Sequence, residues 1–349
     1  MSTETAGTAP AGHATRALVM SDVAARAGVS HQTVSRVVNG HPNVAAMTRE
    51  RVQRAIAELG YRPNTAARAL VTGSSRTIGL VTINVNQYGP AQTLIGLEEA
   101  ARAAGYSLSV AILDAGEFAD MRDAVDRFVA QSVDAVVVHT ASFQAVEALR
   151  ELDPPVPLVA VQMGAEEVRP TVTVGQEAGA RLAVAHLLGL GHRTVHHLAG
   201  PAYSLEAQRR VQGWRCELLA AGAPVPELLH GDWWPGSGHR TGRLLAQRIR
   251  DGEDVTAVFV GNDQMALGLM VALHEEGLDV PGDVSVVGFD DVPEAPYFSP
   301  PLTTVRQDFA ELGRRGVELV LAKLAGRDTL PDQVPPVLVV RGSTGPVRG

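Results

Sequence analysis

A single cysteine, Cys216, stands among the 349 residues, so no disulfide framework or paired-thiol metal site can form within one chain. That suits a reducing compartment and leaves Cys216 the expected role of a buried structural thiol. No apolar stretch reaches the ~20 residues a membrane-spanning helix needs. The first fifteen residues, rich in Ala, Thr and Gly, lack the basic-then-apolar layout of a secretory leader. The expectation is a cytoplasmic protein without a membrane partner, preceded by a disordered tail over residues 1–17. Signatures of common catalysis are missing too: there is no Gly-x-x-x-x-Gly-Lys phosphate loop, no Gly-x-Gly-x-x-Gly fingerprint and no Gly-x-Ser-x-Gly elbow. His192, His196 and His197 could suggest metal, but the run from Arg193 to Leu198 reads as a strand, on which the last two histidines point to opposite faces. No catalytic residue, metal or cofactor is expected.

What is present begins at Met20. Ser21 precedes Asp22-Val23-Ala24-Ala25-Arg26-Ala27, and Gly28 closes the run, bracketing a helix of about two turns. Ser30 can cap a second helix in which Val34, Val37 and Val38 share one face, leaving His31, Gln32, Ser35 and Arg36 outward. Asn39-Gly40 stops it. Thr48 is placed to cap a third helix with an apolar stripe of Val52, Ile56 and Leu59, ended by Gly60.

The turn Ala27-Gly28-Val29-Ser30 is as short as a helix-turn-helix requires. Gln32 can pair bidentately with adenine, Arg36 with guanine or a phosphate, and Ser35 and His31 can reach base edges. The same spacing would serve an ordinary helical hairpin with a solvated face, and charge argues against that. Arg16 to Arg76 holds nine arginines and three acidic residues, a balance of +6, in a chain of formal net charge −8, so the remainder carries −14. A basic head on an acidic body is the footprint of nucleic-acid binding.

Asp22-Val23-Ala24, Ala27 to Ser30, Gln32-Thr33-Val34-Ser35-Arg36-Val37-Val38-Asn39 and Gly60-Tyr61-Arg62-Pro63-Asn64 resemble the head of the lactose repressor and galactose repressor (LacI/GalR) family. The resemblance implies that the second helix reads the major groove, with His31, Gln32 and Arg36 choosing the operator and Ser30, Ser35, Thr33 and Asn39 beside them. Pro63 fixes the chain entering Asn64, a good N-cap, and Thr65 to Leu70 continues as a helix too short to persist alone. It is expected to be disordered in the free protein and to order on DNA. In the family such paired hinge helices enter the minor groove, which implies contacts from Asn64, Ala67 and Arg68 and a wedge at Leu70. A plain interdomain linker is the alternative.

From Thr77 the pattern changes. Apolar runs (Ile78-Gly79-Leu80-Val81, Ala135 to Val138, Val156 to Val161, Ala257 to Val260, Val284 to Val287) alternate with helical stretches, which means parallel α/β sheet. Repetition before and after about Val174 suggests two doubly wound lobes with a ligand between them, at the carboxyl ends of strands. His139, Gln162, Asn262 and Asp290 stand at such ends, and with Arg210 and Trp233 they offer the carboxylate, guanidinium, amide and aromatic face that a polyol needs. Each could equally be a helix cap, a solvated side chain or core.

Gly200-Pro201, Ala207, Arg210, Gly213-Trp214, Gly231-Asp232-Trp233, Asn262 to Gly268, Asp283 to Asp291 and Pro300 to Thr304 extend the family resemblance over Ser21 to about Val340. It implies a periplasmic-binding-protein-like core in which Arg210, Trp233, Asn262, Asp290 and Gln307 contact a sugar, a galactoside foremost. Departures at Gln162, His139 and Ile83 leave another glycoside as an alternative; the resemblance implies that the sugar releases DNA, with action as a corepressor the alternative. The implied organisation is a head over 18–62, a hinge helix and linker over 63–75 and a two-lobed core over 76–349. The N-lobe would take about 76–174 plus 307–334, the C-lobe about 175–304 plus 335–349. The end, Arg341 to Pro346, carries no heptad seam, so a homodimer reading a near-palindromic operator is expected. A sugar-processing enzyme and a secreted sugar-binding protein are the rival classes; the missing motifs oppose the first, and the basic head the second.

Overall fold

The computed structural model describes residues 18–62, 73–113, 118–139, 142–162, 170–328 and 330–347. The chain forms two compact units, Met1–Ser75 and Arg76–Gly349. The hinge contacts expected at Asn64, Ala67, Arg68 and Leu70 lie outside the described residues.

The first unit holds α1 (Met20–Ala27), α2 (His31–Val38) and α3 (Ala46–Leu59). Val23, Val34, Val37, Val52, Ala55 and Tyr61 are buried together in its core. Two expected caps are corrected. Ser21 lies inside α1, because Val19 starts the helix and its N–H donates to the Asp22 carboxylate at 2.9 Å. Thr48 lies in the first turn of α3, which begins two residues earlier without a side-chain cap. The other ends are as the sequence reads: Ser30 Oγ accepts from Thr33 N–H at 3.2 Å, and Gly28 and Gly60 take φ of +61° and +62°.

The second unit contains two six-stranded sheets. The first is built from β1 (Thr77–Ile83), β2 (Ser107–Leu113), β3 (Ala135–His139), β4 (Leu158–Val161), β5 (Thr171–Val174) and β11 (Asp332–Val334), in the order β11-β5-β4-β3-β1-β2, all parallel. Its helices are α4 (Tyr88–Ala103), α5 (Phe118–Ala130), α6 (Phe143–Glu151) and α11 (Phe309–Leu324). The second contains β6 (His196–Ala199), β7 (Leu229–His230), β8 (Ala257–Val260), β9 (Ser285–Asp290), β10 (Thr303–Arg306) and β12 (Val337–Val339), in the order β12-β10-β9-β8-β6-β7. Only the β10–β12 pair is antiparallel among its described pairings. Helices α7 (Gln176–Gly189), α8 (Leu205–Ala220), α9 (Pro235–Arg250) and α10 (Asp263–Glu275) cover it.

Three crossings join the sheets, at β5–α7, β10–α11 and Pro335-Pro336. Apolar side chains cover both faces of each sheet, which is why its strands read as unbroken Val, Leu and Ala runs. Cys216, on α8, is half-buried rather than buried, so its expected structural role in the core is withdrawn.

Helices α9 and α10 approach so closely that a Cβ on Gly268 would stand 1.9 Å from the Pro235 carbonyl oxygen, and one on Gly238 1.9 Å from that of Met265. Backbone atoms cannot give way as a side chain can. Gly268→Ala is expected to cost about 1–3 kcal/mol and to lower the melting temperature by several degrees, read by calorimetry. Gly189→Ala, where the added carbon meets nothing within 4 Å, should leave it unchanged or raise it.

Candidate functional site

In the first unit α2 presents His31, Gln32 and Arg36 as exposed side chains, with Thr33 and Ser35 partly exposed. Ser30 and Thr33 are engaged with each other, their hydroxyls 2.9 Å apart, and Asn39 Nδ2 donates to Ser35 Oγ at 3.4 Å. Among the described residues no side-chain hydrogen bond or ion pair holds Gln32 or Arg36, four residues apart on one outward face. The turn before α2 is braced from α3, since Arg51 donates to the Gly28 carbonyl at 3.3 Å and Arg26 pairs with Glu58.

In the second unit the carboxyl ends of the strands converge on a cleft of about 500 Å³. Gln162 follows β4, Asn262 lies just past β8, Asp290 ends β9, Gln307 follows β10 and Trp233 lies after β7. All five line the cleft with Arg210, one face of α8. Four side chains form a closed ring. Arg210 Nε donates to Gln176 Oε1 at 2.8 Å, Gln176 Nε2 to Gln307 Oε1 at 2.9 Å and Gln307 Nε2 to Asp290 Oδ1 at 2.7 Å. The Asp290 Oδ1 in turn lies 3.8 Å from Arg210 Nη2. Arg210 also donates to the Gly261 carbonyl, and its guanidinium lies 3.8 Å from the Phe289 ring centre and 5.4 Å from that of Trp233. A cation so bonded and stacked is fixed in place before any ligand arrives.

Asn262 is both a helix cap and a wall of the site: its Oδ1 accepts from Met265 N–H at 3.0 Å and its Nδ2 donates to the Trp233 carbonyl at 3.0 Å. That bond helps hold Trp233 at φ +74°. Gly200 makes room for the indole, because a Cβ there would lie 2.2 Å from the ring. Gln162 at φ +61° and Asp290 at φ +113° are likewise in backbone regions that L-residues rarely adopt. Strain gathered in the walls of one cleft marks a site that the surrounding fold holds in shape.

Burial pushes the Asp290 carboxyl up to about 7, against the opposing pull of Arg210 and the Gln307 hydrogen bond. Burial likewise raises Glu206, which Arg210 opposes. Gln162 spends its Oε1 on Val174 N–H at 2.9 Å, leaving its amide hydrogens for the cleft.

His139 is not brought into the cleft. Its ring lies 3.0 Å from Thr82 Oγ1 within the first sheet, and burial lowers its pKa to about 4. The strand-end argument failed there because the ring is engaged by its cross-strand neighbour Thr82.

The sequence reading missed the segment Asn86 to Pro90 and Trp234 as cleft walls, and three polar residues of the cleft or its ring, Gln176, Glu206 and Gln264. Each of these three stands in the first turn of a helix, where a polar residue reads as solvated or capping. Gln264 carries the clearest sign, since its Oε1 is buried without a hydrogen-bond partner among the described residues.

An exposed reading helix in a helix-turn-helix unit, and a two-sheet body with a rigid polar cleft, define a DNA-binding regulator with a small-molecule receptor core. Residues 19–64 match the model of bacterial regulatory proteins of the lacI family, and residues 184–344 that of a periplasmic binding protein-like domain. The chain is 37% identical over 325 residues to the lactose operon repressor of Escherichia coli (strain K12), covering 93% of this chain and 89% of that protein. The structure of the lac repressor dimer bound to operator and the anti-inducer ONPF is similar at a TM-score of 0.85 and 35% identity, over 95% of this chain and all of that one. A complex of the transcriptional regulator CelR with cellobiose matches at a TM-score of 0.68 and 32% identity, over 93% and 99% of the two chains. The chain therefore belongs to the LacI family of transcriptional repressors, which are DNA-binding regulators and not enzymes.

Proposed function

We propose that this repressor acts as a homodimer on a near-palindromic operator of sugar-utilisation genes, and that a neutral sugar held in the cleft of the second unit releases it, with galactosides the first class to test. The buried, unpartnered Oε1 of Gln264 carries the reading. A buried acceptor left without a donor costs free energy that a ligand hydroxyl recovers. Asp290 adds a second acceptor, the Gln162 amide a donor, and Trp233 a flat face for the C–H side of a pyranose. Two relatives support the class: the lac repressor dimer is bound to operator and the anti-inducer ONPF, and CelR is bound to cellobiose. His31, Gln32, Ser35 and Arg36 read base edges in this proposal, and Asn64, Ala67, Arg68 and Leu70 act in the minor groove.

Release requires the sugar to prefer the unbound form of the repressor, and a tenfold shift needs only about 1.4 kcal/mol of preference. The test is a panel of galactosides, glucosides and other neutral sugars added to full-length protein, with melting temperature and operator binding read in parallel. One sugar should raise the first and weaken the second. Failure of every sugar on the panel to change either measurement overturns the proposal.

A further inference from the structure

A second cavity of about 730 Å³ lies against the cleft, and the two share the side chains of Gln162 and Glu206. Its other walls include Thr173, Glu177, Arg209 and Gln333. They are charged or hydrogen-bonding groups on β5, α7, α8 and β11. Resting on the sugar reading above, we propose that the effector is an oligosaccharide of at least two units, and that Glu206 holds the second unit where the chambers meet.

At the junction the Glu206 carboxylate and the amide hydrogens of Gln162 are uncommitted. Gln176 spends its amide on Arg210 and Gln307, and Gln162 its oxygen on Val174. Among the described residues the Glu206 carboxylate accepts no hydrogen bond and makes no ion pair. It stands in the first turn of α8, capped by Ser204 and one turn ahead of Arg210. A carboxylate in that position accepts from two neighbouring hydroxyls.

An alkyl or aryl aglycone would seek an apolar chamber. Here the second chamber offers charged and amide groups, and the outer wall of the first adds Asn86 and Gln87. A hydroxylated second unit satisfies both. Arg210 opposes the charge of Glu206, which favours a neutral sugar over a cationic amino sugar.

The experiment is calorimetric titration of the full-length protein with galactose and glucose against lactose, melibiose, maltose and cellobiose. One disaccharide is expected to bind at least about tenfold tighter than either of its monosaccharides. Glu206→Gln is expected to weaken that disaccharide about tenfold more than the monosaccharide, the loss of a hydrogen bond to a charged group. Gln333→Ala, which touches the second chamber alone, should narrow the same ratio. Equal affinity for one and two units, or equal weakening of both by Glu206→Gln and Gln333→Ala, overturns the two-chamber assignment while leaving the sugar reading intact. Absence of binding by every saccharide removes both.

Discussion

Asp290→Asn is expected to abolish release by the sugar while operator binding persists. The substitution keeps the shape of a buried side chain and removes the charge that a ligand hydroxyl would meet. Hydrogen bonds to a charged acceptor are worth roughly 1.5–3 kcal/mol, so a sugar donating two of them loses on the order of 100-fold or more in affinity. The fold survives because Arg210 keeps its bonds to Gln176 and Gly261 and its place against Phe289. Acidity separates this role from simple packing. Asp290 titrates at about 7 in the ligand-free protein, so its carboxyl is half-protonated at neutral pH. Sugar affinity should therefore rise about tenfold from pH 6 to 7.5 and then level off, as the accepting form becomes complete. Stability of the free protein runs the other way. A carboxyl raised from the usual range to about 7 costs nothing below pH 4, and its burial penalty grows until pH passes 7. Relative to wild type, Asp290→Asn should gain stability as pH rises through that window. Sugar binding by the variant that matches wild type at pH 7.5 would remove Asp290 from the site.

The parts of this site that the sequence makes legible are those decided locally. Ser30 and Gly28 define α2 because a cap and a left-handed stop are properties of a few adjacent residues. Gln162, Asn262 and Asp290 are legible because each ends an apolar run in a parallel sheet, and such ends line a cleft. The ring is not legible that way: Gln176 and Gln307 are 131 residues apart, and only the crossings between the sheets bring them together. Local signals also misled where two explanations compete for one residue. Ser21 and Thr48 resemble caps, yet the helices start earlier, at Val19 through the Asp22 carboxylate and at Ala45 with no side-chain help. His139 obeys the strand-end pattern and still turns to Thr82. Asn262 shows the reverse case, where the bland reading as a cap and the functional one hold together.

Arg36→Ala is expected to weaken operator binding by roughly 30-fold to 10⁴-fold in a dimer, because each good pairing with a base contributes about 1–3 kcal/mol and two heads each lose one. Arg36 is exposed and makes no side-chain bond among the described residues, so its removal leaves the core of Val23, Val34, Val37 and Val52 untouched. Circular dichroism of the variant should match wild type. Val34→Ala, by contrast, opens a cavity in a three-helix core too small to absorb it and should lose binding by unfolding the head. Salt distinguishes the two uses of the arginine. If Arg36 pairs with guanine, the variant loses discrimination at one base pair per half-site; if it clamps a phosphate, affinity falls evenly across sequences and the salt slope shrinks by about one per contact. Gln32→Ala should relax preference at a separate position, since the two side chains stand one helical turn apart and reach different base pairs. Should both variants bind every operator as wild type does, α2 is not the element that reads DNA, and the basic charge of the head acts only as a general attraction to the duplex.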